Sequence, residues 1–122
     1  MTYRLVRVEN PHRESVVANR ARIAGGVIHR IFGLHLLPRL EPGEALMLPG
    51  ATTIDTIFMS YPIDLVFLDG EHRVTRVVHD MKPWRMVLSG NGGRDCLELP
   101  AGAAVASGTQ VGDQLAFEEF YE

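Results

Sequence analysis

The feature that most constrains the fold is a series of short strand-like runs in residues 44–120, each closed off by a turn sequence. The runs are EALML, TIFM, IDLVFL, RVTRVV, WRMVL, DCLEL and QLAFEEF. Glycine and proline recur between them, where glycine permits a positive φ and proline fixes its own φ. The Asp69-Gly70 step between two of the runs is the clearest hairpin signal. Many short strands at near-regular spacing predict a mainly β domain.

The N-terminal third predicts one more strand and one helix. YRLVRV at residues 3–8 alternates apolar and basic side chains, as a half-buried strand does. A helix is predicted over residues 19–37, because Asn19 can cap it, Pro38 cannot continue it, and the apolar side chains return to one helical face. Those side chains are Ile23, Val27, Ile31 and Leu34. We therefore expect a compact jelly-roll-like sandwich or closed barrel of about seven or eight short strands, with one helix near the N-terminal third.

The length of 122 residues is that of one domain, and we expect residues 1–122 to fold around a single core. Cys96 is the only cysteine, which excludes an intrachain disulfide and a metal site built on several thiolates. The N-terminus is charged from its fourth residue and has no apolar run of signal-peptide length. We expect a cytoplasmic protein that does not bind membranes.

Charge is unevenly distributed, but this does not predict a nucleic-acid partner. Residues 1–40 hold seven arginines and two acidic residues, whereas residues 41–122 hold five basic and thirteen acidic residues. In one compact domain these charges mix, and no aromatic side chains interleave with the arginines as in single-strand binders. We therefore expect no nucleic acid among the partners.

The motifs of the central and C-terminal parts occur in a characteristic order. They are TIFMSYPIDLVFLDG, RVTRVV, KPWRMVL, CLELPAG and VGDQL. In this order, over about residues 20–117, they resemble the bacterial and archaeal domain-of-unknown-function family 192. The resemblance implies a compact, mainly β, jelly-roll-like domain, and it implies no settled activity.

Two positions depart from the subtype of that family that the chain most resembles. Many of those relatives carry a cysteine ahead of the central strand and a histidine directly before the threonine, where this chain has Gly50 and Asp55. Metal or nucleophilic chemistry through such a pair is therefore not expected here. The five histidines show no close metal-ligand spacing, and no serine has nucleophile-elbow surroundings. We predict no catalytic residue, no metal site and no cofactor.

Asp64 stands out because its carboxylate heads an otherwise apolar strand. It follows Pro62, so it can accept backbone N–H bonds from the preceding turn, which would be a structural role. In strand register it shares a face with Val66 and Leu68 and so can point inward, where a carboxylate needs a partner. Arg85 and Arg76 are candidate partners. The alternative is that the carboxylate faces a ligand.

Trp84 and Arg85 form the second candidate, because the only tryptophan stands beside a guanidinium just after a proline. An exposed Trp-Arg pair offers stacking area and a bidentate fork for a carboxylate, as interaction hot spots do. The structural alternative is a tryptophan covering the end of the barrel, with Arg85 paired to Asp64 or Glu98.

Three hypotheses for function follow. The first is a non-catalytic binding module with a small pocket or groove at one end of the barrel. Its candidate ligand-binding residues are Thr56, Met59, Asp64, Trp84 and Arg85. The second is a structural domain that docks on a protein partner, or on itself as a homodimer, through strand edges and the Trp84 region. The third, a hydrolase-like enzyme, rests on fold analogy alone, and we favour a protein that is not an enzyme. The partner is an unknown small ligand or protein.

Overall fold

The computed structural model describes residues 4–24, 39–56 and 59–121, and the described part is mainly β. Its strands are β1 (Arg4–Asn10), β2 (Ser15–Ile23), β3 (Glu44–Leu48), β4 (Thr53–Asp55), β5 (Ile63–Leu68), β6 (Val74–Met81), β7 (Met86–Leu88), β8 (Asp95–Pro100) and β9 (Ala116–Phe120). One short helix, α1 (Ala103–Ala106), follows β8. Within these ranges, no helix is long and apolar enough to cross a membrane.

Seven strands form one sheet in the order β6-β5-β8-β3-β2-β1-β9. Neighbours are antiparallel except for β2 and β3, which run parallel. The remaining two strands, β4 and β7, pair antiparallel as a separate ribbon. The predicted runs EALML and IDLVFL coincide with β3 and β5. TIFM is displaced, since β4 is Thr53–Asp55, Thr56 and Met59 lie outside any strand, and residues 57–58 fall outside the described ranges.

The predicted helix over residues 19–37 is wrong in its first turn. Residues 19–23 belong to β2, and its last four residues pair with β3 on one side while β2 pairs with β1 on the other. Pairing on both sides satisfies the backbone groups, and this outweighs the helical propensity of alanine and arginine in the segment. Residues 25–37, including Val27, Ile31 and Leu34, lie outside the described residues.

The main sheet buries side chains on both of its faces, so β5 is buried along its whole length. Val66 and Leu68 join a first core, which also holds side chains of β1, β2 and β8. Ile63, Leu65 and Phe67 join a second core on the opposite face, covered by Ile54 and Val87 of the ribbon. The predicted alternation of β5 is confirmed. The ribbon is thus the lid of one of two cores.

The expected closed barrel is not what the described residues form. The edge strands of the sheet are β6 and β9, and they are linked only at one end, where Arg73 bridges Gln114. There the Val74 amide donates to Asp113 O at 2.8 Å and the Gly112 amide donates to Val74 O at 2.8 Å. β9 itself pairs with β1 alone among the described strands, and only the turn before it reaches the start of β6. The result is an open, sandwich-like sheet.

Asp113 fastens this turn to the N-terminal hairpin. Its Oδ2 accepts hydrogen bonds from Asn10 Nδ2 at 2.9 Å, Arg13 Nε at 3.0 Å and the Gln110 amide at 3.0 Å, and its Oδ1 accepts one from Arg13 Nη2 at 3.0 Å. The side-chain hydrogen bond from Arg13 lowers the pKa of Asp113 to about 2. The charged carboxylate therefore stabilises the fold by joining segments about a hundred residues apart in sequence.

Replacing Asp113 with Asn should lower the free energy of unfolding at neutral pH by about 2 kcal/mol, because Arg13 loses its charged partner. Since the pKa of Asp113 is depressed, its stabilisation is present above pH 4 and is lost as the pH falls toward about 2. Chemical denaturation from pH 2 to 7 measures this loss, which should be smaller in Asp113→Asn. The exposed Glu118→Gln serves as control, and equal acid sensitivity of all three proteins would contradict the prediction.

Candidate functional site

Asp64 is fully buried, and its carboxylate joins three segments of the chain. Oδ1 accepts a hydrogen bond from the Asp80 amide at 2.8 Å, and Oδ2 accepts one from Gly102 and one from Ala104, both at 3.0 Å. Asp64 therefore ties β5 to the end of β6 and to the turn that begins α1. Three donors satisfy the carboxylate where water cannot reach it.

The predicted guanidinium partners of Asp64 are wrong, whereas the predicted kind of donor, the backbone N–H group, does bind it. Arg85 Nη1 donates to Trp84 O at 3.3 Å, and Arg76 Nη1 donates to Leu88 O at 2.6 Å. Backbone amides, rather than a guanidinium, face Asp64 in the described part of the chain. The donors also come from distant segments and not from the preceding Pro62 turn.

Thr56 is also fully buried, and it holds the segment that leads into β7. Its hydroxyl donates to Lys82 O at 2.7 Å and accepts from the Arg85 amide at 3.0 Å. Its own amide donates to Arg85 O at 2.8 Å, and its carbonyl accepts from the amides of Met59 at 3.1 Å and Trp84 at 3.0 Å. One threonine thus contacts the backbone of every other predicted site residue except Asp64.

The segment between these two anchors, residues 80–85, has an unusual backbone. Asp80 has a φ of 51° and Trp84 a φ of 64°, a region that residues other than glycine enter at a cost of about 1 kcal/mol or more. Asp64 binds the first amide of the segment, and Thr56 binds its last residues. We call residues 80–85, the last two residues of β6 and the four that follow, the presenting loop, because the hydrogen bonds from both anchors fix the backbone of an exposed Trp84.

Three large apolar side chains, at every second position from the end of this loop into β7, are exposed to solvent. Trp84 is 59% exposed, Met86 65% and Leu88 60%. In the ribbon, Met86 pairs with Asp55 and Leu88 with Thr53, and all four are exposed, whereas Ile54 and Val87 pack on the second core. We call Trp84, Met86 and Leu88 the Trp84 surface.

The five predicted site residues therefore fall into two roles. Thr56, Met59, Trp84 and Arg85 lie together around the ribbon, whereas Asp64 reaches them only through the presenting loop. Met59 is buried in the second core. Met86 and Leu88 were missed, although the alternation in WRMVL carried the signal. Apolar side chains of a strand are usually expected to face the core. Here Val87 faces the core and Met86 and Leu88 face outward, and the sequence alone does not show which side of the ribbon lies on the sheet.

Glu98 was considered only as a partner for Arg85, yet it is a buried acid of another kind. It is 5% exposed and stands between Leu46 of β3 and Leu65 of β5. Burial, and the charge of Asp55, raise its pKa to about 8. Among the described residues, no hydrogen-bond partner faces Glu98 Oε2. Glu98 is thus mostly protonated at pH 7.

A cleft of about 420 Å³ opens beside α1, on the far side of Asp64 from the ribbon. Gly102 and Ala103, part of the turn that Asp64 holds, form one wall, and Asn19 and Gly43 form another. Gly102 has a φ of 95°, which favours glycine. The side chains that line the cleft are uncharged. Elsewhere in the described ranges, no group of three or more His, Cys, Asp and Glu side chains is arranged to hold a metal ion.

Comparison with known proteins gives a family and a fold. The profile of DUF192, described as uncharacterized ACR, matches residues 8–117. A UPF0127 protein of Thermococcus sibiricus is 28% identical over 113 residues, covering 89% of this chain and 73% of that protein. A UPF0127 protein of Pyrococcus abyssi is 34% identical over 102 residues, covering 79% of this chain and 84% of that protein.

Two crystal structures share the fold at low identity. A protein of unknown function from Novosphingobium aromaticivorans superposes with a TM-score of 0.77 at 20% identity, covering 92% of this chain and 83% of that one. A protein from Sinorhizobium meliloti described as a candidate transcription regulator superposes with a TM-score of 0.81 at 19% identity, covering 96% of both chains.

Replacing Asp64 with Asn should lower the free energy of unfolding by about 2 to 4 kcal/mol, because the new NH₂ group must face at least one of the three amides. Asp69→Asn is the matched control, since Asp69 Oδ1 accepts the amides of Glu71 and Arg73 on an exposed turn, where water can replace it. Chemical denaturation measures both. Equal losses in the two variants would show that the buried position of Asp64 does not matter.

Replacing Thr56 with Val keeps its shape and removes its hydroxyl, so Lys82 O and the Arg85 amide lose a partner. We expect a loss of about 1 to 2 kcal/mol in the free energy of unfolding, and faster amide exchange confined to the presenting loop. Thr53→Val, on the exposed face of the same ribbon, should leave both quantities unchanged. Unaltered amide exchange of the presenting loop in Thr56→Val would show that the Thr56 hydroxyl does not anchor the loop.

Proposed function

This chain belongs to the DUF192 family of uncharacterised proteins, and we propose that it is a non-catalytic binding domain whose contact surface is the Trp84 surface. One observation carries the proposal. Two fully buried polar side chains, Asp64 and Thr56, form hydrogen bonds with backbone groups of the presenting loop, while Trp84 on that loop is mostly exposed.

The fixed backbone of the loop is what a contact residue needs. A tryptophan held in place before binding loses little conformational freedom when a partner arrives, which favours affinity. Trp and Arg are the residue types most enriched among the few that dominate binding energy. Three neighbouring large apolar side chains exposed together also exceed the scattered exposure that is normal on a protein surface.

The flanking charges indicate the chemistry of the partner. Arg85 donates to the carbonyl of Trp84 at one end of the Trp84 surface, and Arg76 donates to the carbonyl of Leu88 at the other. Both arginines are exposed, so their remaining N–H groups can meet carboxylates. We therefore propose a protein partner with a contact segment of apolar side chains flanked by acidic ones.

The cleft beside α1 supports a second candidate, a small-ligand pocket at the end of the sheet. Its volume of about 420 Å³ is in the range of small-molecule sites, and the turn held by Asp64 forms its wall. In this version Asp64 shapes the pocket without touching the ligand. Native mass spectrometry of the untagged protein tests it, because a bound ligand would appear as a discrete adduct that Asp64→Asn loses.

Photo-cross-linking tests the contact surface directly. A benzophenone amino acid at Met86 should cross-link one distinct protein in the cells of origin, and Trp84→Ala should reduce this cross-link at least about tenfold, the effect of losing roughly 1.4 kcal/mol. The same probe at Val111, which is 63% exposed elsewhere on the protein, is the matched control.

Because Trp84 is exposed, Trp84→Ala should leave the melting temperature within about 2 °C of the wild-type value. A cross-link only to a second copy of the chain would overturn the proposal of an acidic partner and would show instead that the Trp84 surface is a homodimer contact. Identical products from the Met86 and Val111 probes would contradict the proposal.

A further inference from the structure

Glu98 lies in the layer between the main sheet and the ribbon. Successive β8 side chains alternate, with Leu97 and Leu99 in the first core and Cys96 in the second. Glu98 therefore points into the second core, and its two cross-strand neighbours, Leu46 and Leu65, belong to that core. Ile54 and Val87 of the ribbon close the same core from above. The ribbon thus covers a carboxyl group.

Little in the described part of that layer compensates a charge on Glu98. Its Oε2 is buried without a hydrogen-bond partner there. A carboxylate in such a place is tolerated in the protonated form, because burying the ionised form without a partner is costly.

The ionisable groups in the surroundings of Glu98 come from several segments. Asp55 lies on β4 of the ribbon, and its negative charge opposes a charge on Glu98. Tyr61 precedes β5, and Cys96 is on β8 itself, and both sense the charge of Glu98. The guanidinium of Arg39 stacks over the Tyr61 ring at 5.0 Å, and Arg22, on the same face of the sheet with Leu46 between it and Glu98, pairs with Glu44 at 3.5 Å. Arg39 lies against the tyrosine, whereas the charge that acts on Glu98, after the effect of burial, is the negative charge of Asp55.

We propose that Glu98 is a protonation-dependent lock: its neutral form lets the ribbon pack on the main sheet, and loss of its proton releases the ribbon and with it the Trp84 surface. The release rests on three features, namely a buried carboxyl, a ribbon of only two short strands above it, and a like charge on that ribbon. Its consequence for binding rests on the proposed function, whereas the release itself does not.

The direction of the pH dependence follows from linkage. A carboxyl that keeps its proton in the packed state but ionises freely when exposed stabilises packing at low pH, and this stabilisation is lost as the pH rises through about 8. Between pH 7 and pH 9 the ratio of packed to released ribbon should fall about tenfold, mostly below and around the pKa, because above it Glu98 is ionised in both states and the ratio levels off.

Hydrogen–deuterium exchange with mass spectrometry tests the lock on the protein alone. After correction for the intrinsic pH dependence of exchange, peptides spanning β4 and β7 should lose about tenfold protection between pH 7 and pH 9, while β1 and β2 keep theirs. In Glu98→Gln the ribbon should show no such step. Glu98→Met, which needs no hydrogen-bond partner, replaces it if the Gln variant does not fold.

Asp55→Asn supplies an independent check. Removing the like charge lowers the pKa of Glu98 in the packed state, so the ionised form opposes packing less and the ribbon should lose less protection at pH 9 than in the wild type. The lock is overturned if the Glu98 variants keep the wild-type step, if the ribbon shows no step, or if all strands lose protection together. None of these outcomes depends on a partner. The lock can therefore be disproved while the photo-cross-linking result at pH 7 still supports the contact surface, and the contact surface can be disproved while the lock is confirmed.

Discussion

The carboxylate of Asp64 is the interaction on which the rest of the arrangement depends. It is buried between a central strand, the end of a neighbouring strand and the turn that starts α1, and it accepts a hydrogen bond from one backbone amide of that neighbouring strand and from two amides of the turn. A buried charge is tolerated only when its acceptor sites are filled, so all three segments must be in place at once. The same contact shapes one wall of the cleft and the start of the presenting loop.

Thr56 completes that support from the opposite core. Its hydroxyl and backbone hold the far end of the presenting loop, and the ribbon continues from there over the second core. Buried polar groups therefore hold the backbone of a segment that carries an exposed tryptophan. Under that ribbon lies Glu98, a carboxyl that is acceptable only while neutral. In the proposed lock, the position of the Trp84 surface therefore depends on the protonation of Glu98.

The sequence was most informative where structure is local. The alternation in IDLVFL predicted which β5 side chains share a face, and the turn residues separated strands that the structure confirms. It failed at residues 19–23, because pairing with both β1 and β3 decides that segment, and no local pattern reports such pairing. Barrel closure failed for a similar reason, since it depends on how far β9 extends toward β6.

The site shows the same division. Thr56, Trp84 and Arg85 were singled out from their motifs and do lie together, but the partners of Asp64 come from Asp80, Gly102 and Ala104. Backbone amides carry no residue-specific signal, so a carboxylate that binds them resembles a ligand-facing one in sequence. Glu98 was hidden for a related reason, because the letters CLELP do not reveal that both faces of β8 are covered.

Backbone ¹⁵N relaxation of the free protein, including the indole of Trp84, tests the central claim most directly. If Asp64 and Thr56 fix the presenting loop, the order parameters of residues 80–85 should equal those of the strands, about 0.85. Values below about 0.6 for the loop would show that Trp84 is carried on a flexible segment, and would contradict the account of a contact surface fixed before its partner binds.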